Sequence, residues 1–129
     1  MDFRVSTIAG ERVLTGMSHG WGQGVILGKD YQIRKRVDID AGVNFNTHEF
    51  SWLDDGKSVL VTTYNWRDAP EEMQRAVGHE GGCAVAFDGF KELDGRSTTE
   101  TLFQWSSYGH VALNESTYGK ICEGRWDYV

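Results

Sequence analysis

Thr47-His48-Glu49-Phe50-Ser51-Trp52-Leu53 and Ser58-Val59-Leu60-Val61-Thr62-Thr63-Tyr64 are two strand-prone runs separated by Asp54-Asp55-Gly56-Lys57. β-Branched and aromatic side chains suit a pleated, half-buried surface, and Asp-Asp-Gly supplies residues that tolerate positive φ. The segment predicts a β-hairpin. A second hairpin is read from residues 84–93, a polar turn at Asp94-Gly95-Arg96, and residues 101–107. Its return strand sets Phe103 and Trp105 on one face and Leu102, Gln104 and Ser106 on the other, the alternation of a half-buried strand. Between the hairpins, residues 68–77 predict a short surface helix. Asp68 is placed to cap it, Pro70 falls in its first turn with two acids, Met73 and Val77 are four apart, and Gly78 would stop it.

The N-terminal part repeats this pattern. Residues 3–8 and 12–17 flank Ala9-Gly10-Glu11, and residues 25–27 and 31–39 flank Gly28-Lys29-Asp30. Sixteen glycines, one proline and 12% aromatics complete the profile of a turn-dense all-β chain. Two successive four-stranded antiparallel meanders predict propeller blades, with one short helix in a loop. One blade-like unit spans 2–40 and a second 47–107, and 108–129 opens a third. A single eight-stranded sandwich or barrel uses the same number of strands, and strand count does not separate the two.

Charge and hydropathy exclude several classes. The net charge of −6 opposes nucleic-acid or anionic-membrane partners, both of which require a basic face. No apolar run approaches the roughly 20 residues of a membrane-spanning helix, and Met1-Asp2-Phe3-Arg4 does not open a signal peptide. Two cysteines, Cys83 and Cys122, allow one disulfide at most, and their spacing leaves pairing open.

Gly20-Trp21-Gly22-Gln23-Gly24 invites a phosphate-loop reading, but no Gly-Lys-Ser/Thr follows and Val25-Ile26-Leu27 continues as a strand. It reads as a turn. His19, His48, His79 and His110 lack short metal-ligand spacing, so no metal site is expected. His48 shares strand parity with Phe50 and Trp52 at the expected start of its strand, a position suited to a binding cleft. His110 lies just past another strand end, and His79 reads as a solvated loop residue. Asn114-Glu115-Ser116 is a glycosylation acceptor only if the chain enters a secretory route.

Several stretches together resemble the fungal branch of the arylsulfotransferase (ASST-type) family, six-bladed β-propellers. They are Thr47-His48-Glu49-Phe50 with Asp55-Gly56 and the Val-Leu-Val-Thr-Thr-Tyr strand, then Phe87-Asp88-Gly89-Phe90-Lys91-Glu92-Leu93-Asp94. Glu100-Thr101-Leu102-Phe103-Gln104-Trp105-Ser106-Ser107, His110-Val111 and Trp126-Asp127-Tyr128 follow in the same order. The chain departs from the family pattern at Asn46-Thr47 and Gly109, where the family carries acids. It also departs at Val129, where the family continues with Phe and a His-x-Asn motif.

The resemblance implies sulfuryl transfer from an aryl sulfate to a phenol through a histidine-bound intermediate, with no nucleotide sulfate donor and no cofactor. It implies His48 as the channel-facing catalytic residue, holding or protonating an oxygen of the sulfate or leaving phenol. An aryl sulfate or a phenolic compound is the implied small-molecule partner. The family is often secreted or membrane-anchored, while the chain itself leaves localisation undetermined. With two blades and an incomplete histidine set, the sequence reads as a fragment, inactive alone and prone to self-association through open blade edges. The alternative is a non-catalytic propeller-type binding or scaffolding domain.

Overall fold

In a computed structural model, residues 3–18, 23–38, 44–79 and 81–115 are described. Strands β1 (Phe3–Ile8), β2 (Glu11–Ser18), β3 (Gln23–Leu27) and β4 (Ile33–Asp38) form one sheet in sequential order. Strands β5 (Asn44–Leu53), β6 (Ser58–Asp68), β7 (Ala84–Asp94) and β8 (Thr101–Ser106) form a second in the same manner. Both sheets are antiparallel, and the single α-helix among the described residues is α1 (Glu71–Ala76).

The register of the first sheet follows from its hydrophobic alternation. Ser6 pairs with Val13, Thr15 with Ile26, and Gly24 with both Met17 and Val37, so these positions share one face. Val13, Met17, Ile26 and Val37 from that face join Phe50, Val59, Val61 and Leu93 of the second sheet in one core. Gly24 makes this packing possible: a Cβ there would collide with the Phe50 ring, which lies over the glycine and meets Trp52 edge-on at 6.0 Å. The one polar pair in the layer satisfies itself, since the buried Ser6 and Thr15 hydroxyls lie 2.8 Å apart.

The turns use the residues expected of them. Asp54, Asp55 and Gly56 all take positive φ (47°, 57° and 90°), a conformation that Asp tolerates and Gly adopts freely. This places Asp55 against the first hairpin's turn, where its carboxylate accepts the Gly10 N–H at 2.9 Å and its carbonyl accepts that of Ala9 at 3.2 Å. At the turn after β7, Gly95 donates its N–H to the Lys57 carbonyl at 2.7 Å, and a side chain there would fall on the Gly56 carbonyl.

Several boundaries differ from the sequence expectation, β3 among them, which takes in Gln23 and Gly24 of the expected turn. Tyr31 is not a strand residue: its φ of 61° and its N–H bond to the Gly28 carbonyl (2.9 Å) put it in the turn, and β4 begins at Ile33. Asp68 does not cap α1, because β6 runs through it and the Ala69 N–H bonds to the Cys83 carbonyl at 2.9 Å. Pro70 precedes the helix instead, and the buried Gln74 amide returns to the Ala69 carbonyl at 2.6 Å.

The chain divides into two compact units, Met1–Thr63 with Phe90–Gln104 and Tyr64–Gly89 with Trp105–Val129. The first holds the core described above. The second has its own, in which Ala69, Cys83, Val85, Phe87 and Leu113 are buried under Met73 and Val77 of the helix region. Cys83 is disulfide-bonded; Cys122, the only other cysteine of the sequence, lies outside the described residues. No helix among the described residues is long and apolar enough to cross a membrane.

Candidate functional site

His48 lies in β5, but its side chain is outside the described part of the structure, as are His19 and Trp126-Asp127-Tyr128 entirely. The strand begins at Asn44, so position 48 falls in its middle and not at its start. Around it the described side chains form two distinct surfaces. Phe50 and Trp52 pack into the core, and the buried Trp52 indole N–H finds no hydrogen-bond partner among the described residues. Glu49 and Ser51 meet Arg4: the guanidinium lies 2.6 Å and 3.0 Å from the two Glu49 oxygens and donates to the Ser51 hydroxyl, which also bonds to Glu49. A guanidinium spanning a carboxylate is the expected geometry for fixing a strand edge.

The second unit carries a tight turn after β8. The Ser107 N–H bonds to the Asp88 carbonyl at 2.8 Å, and the Ser107 carbonyl accepts the N–H groups of His110 and Val111, both at 2.9 Å. Gly109 takes φ 78° and closes the turn. The result presents two aromatic pairs from five residues. Tyr108 stands edge-on to the buried Phe87 at 5.0 Å and carries the Arg67 guanidinium over its ring at 4.5 Å. His110 stacks on Trp105 with centroids 5.9 Å apart and planes 23° from parallel. Arg67 supplies a charge matched to an anion, and the Trp105–His110 pair supplies a flat π-surface and a titratable ring nitrogen. On the adjacent strand, Asp88 has one buried carboxylate oxygen with no partner among the described residues, and desolvation raises its pKa.

A pocket of about 640 Å³ opens beside α1, walled by Asp68, Glu71, Gln74, Arg75 and His79 among others. His79, read from sequence as a solvated loop residue, is half-buried there and donates its backbone N–H to the Gln74 carbonyl at 3.0 Å. Arg75 pairs with Glu71 at 3.4 Å within the helix. No group of His, Cys, Asp and Glu suited to a metal ion occurs among the described residues.

The turn after β8 was only partly visible in sequence. His110 and Trp105 stand five apart across a strand end, a spacing with no motif, while Arg67 and Phe87 are brought in by β6 and β7. No protein-family model, curated protein or solved structure matches the chain.

Proposed function

We propose that the chain is part of an ASST-type β-propeller whose chemistry is sulfuryl transfer from an aryl sulfate to a phenol. The single observation that carries this reading is the turn at 107–111, whose Tyr108 carries the Arg67 guanidinium of β6 and whose His110 stacks on Trp105 of β8. An aryl sulfate needs these two features, a cation for the sulfate and a π-surface for the ring. The sequential strand order of both sheets supports reading them as consecutive blades.

In this reaction the aryl O–S bond breaks as a histidine nitrogen bonds to sulfur, and the phenolate leaves with the electron pair and takes up a proton. A phenolic oxygen then attacks sulfur, the N–S bond breaks, and the acceptor's proton passes to a base. His48 is assigned to an oxygen of the sulfate or leaving phenol, which it holds or protonates. The chain alone is proposed to bind without turnover, because a nucleophilic histidine with its own base is not found among the described residues.

The same observation also favours a second reading, a binding module that uses this turn for recognition and performs no chemistry. Thermal unfolding with a chromogenic aryl sulfate tests the first. At 100 times its Kd the ligand stabilises by about 2.7 kcal/mol, and the enzyme-derived reading expects His48→Ala to reduce that protection. Protection unaffected by His48→Ala supports the binding module instead. Release of the free phenol by the wild-type chain, lost in His48→Ala, would refute the assignment of binding without turnover.

A further inference from the structure

The first sheet has an apolar face directed away from its core. The register puts Phe3, Val5, Leu14, Leu27 and Ile33 on the side opposite Val13, Met17, Ile26 and Val37. Phe3, Val5 and Ile33 are 47%, 57% and 48% exposed. Such clustering on a sheet face differs from scattered surface apolar residues and marks an interaction surface. A hollow of about 380 Å³ opens in it, with Val5 and Leu14 as apolar wall and Arg12, Lys29 and Tyr31 at its rim. The left-handed backbone of Tyr31 holds that side chain out from the sheet. Arg4 and Arg34 are engaged by Glu49 and Asp30, whereas Arg12 and Lys29 have no ionic partner among the described residues.

The distribution of charge identifies what fits this hollow. Residues 3–38 carry six basic side chains against three acidic ones, although the whole chain is acidic. From residue 39 onward the balance reverses to seven basic against fifteen acidic. In that acidic stretch the edge strand β8 exposes Leu102, at 52%, and the exposed Glu100 lies in the turn immediately before the strand. A symmetric contact of the basic face with itself would oppose Arg12 and Lys29 to their own counterparts. A contact between the basic hollow and the acidic edge strand has complementary charge and apolar parts on both sides.

We propose that this hollow is a self-association site for a second copy of the chain. Leu102 of the incoming copy enters between Val5 and Leu14, and its Glu100 faces Arg12 and Lys29. The contact is heterologous, so each dimer retains one free hollow and one free Leu102 edge, and assembly grows with concentration unless the copies close into a ring.

Sedimentation velocity of the full chain tests this. The wild type is expected to rise above its 14.5 kDa monomer mass with concentration, and added salt is expected to weaken the association. Val5→Asp and Leu102→Asp, both at exposed positions, are each expected to weaken it by about tenfold or more, since a carboxylate at the contact loses its water. Mixed in equal amounts the two variants should form a dimer of twice the monomer mass, because one still offers Leu102 and the other an intact hollow. That complementation also shows that both variants are folded. A wild type that stays monomeric, variants that associate like wild type, or a mixture that fails to dimerise overturns the proposal.

Discussion

Replacing Gly24 with alanine probes the packing of the two sheets at its closest approach. The added Cβ would overlap the Phe50 ring, which is 4% exposed and fixed by Trp52 on one side and the core on the other. Overpacking of this kind costs about 1–3 kcal/mol, while replacing glycine by alanine within a strand returns about 0.5–1 kcal/mol. The expected net loss is about 1–2 kcal/mol. Phe50→Leu alone, a large-to-small change at a buried ring, costs about 1–2 kcal/mol. Because leucine at position 50 makes room for the new methyl, the double variant is expected to be more stable than the sum of the single losses. The shortfall should be at least about 0.5 kcal/mol, the lower end of coupling for touching residues. Urea unfolding of the four proteins, with midpoints compared at constant slope, measures this directly. Strict additivity, or an unperturbed Gly24→Ala variant, would refute the contact between β3 and β5.

Two further predictions concern the second unit. Burial raises the folded-state pKa of Asp88 above the ordinary value of 3.8, so its favourable contribution is present below that value and lost as pH rises through the folded-state pKa. Asp88→Asn is therefore expected to be more stable than wild type at pH 7 and to lose that advantage near pH 3, as read from urea midpoints across the range. Cys83 is disulfide-bonded, and loss of such a bond typically costs about 2–4 kcal/mol. Thiol labelling of the denatured, unreduced chain should find no free cysteine, and reduction should lower its melting temperature.

How far the sequence could be read depended on whether the signal was local. The hairpin at Asp54-Asp55-Gly56 was legible because its turn chemistry is contained in three adjacent residues, all of which adopt positive φ. The half-buried alternation expected of residues 101–107 is not realised, because β8 is an edge strand exposed along nearly its whole length, with Leu102 and Phe103 both at 52%. Asp68 misled because cap propensity is a local preference, overridden where β6 continues through it and Ala69 bonds to Cys83. Asn44 and Asn46 are poor strand formers that hide the strand's start, yet β5 begins at Asn44 and position 48 falls in its middle. The Arg67–Tyr108 contact was out of reach, since forty intervening positions carry no pattern linking them. The rise in the Asp88 pKa is likewise a consequence of burial, which no spacing encodes.

The most direct test of the sulfuryl-transfer reading is ligand-detected saturation-transfer NMR on the full chain. It compares an aryl sulfate, the corresponding free phenol and a simple alkyl sulfate at equal concentration. An aryl-sulfate site built from Arg67, Tyr108, Trp105 and His110 predicts strong transfer to the aryl sulfate ring and weaker transfer to either half-ligand, with the preference reduced in Arg67→Ala. Equal transfer to the aryl sulfate and the free phenol, or none to any of the three, would contradict it.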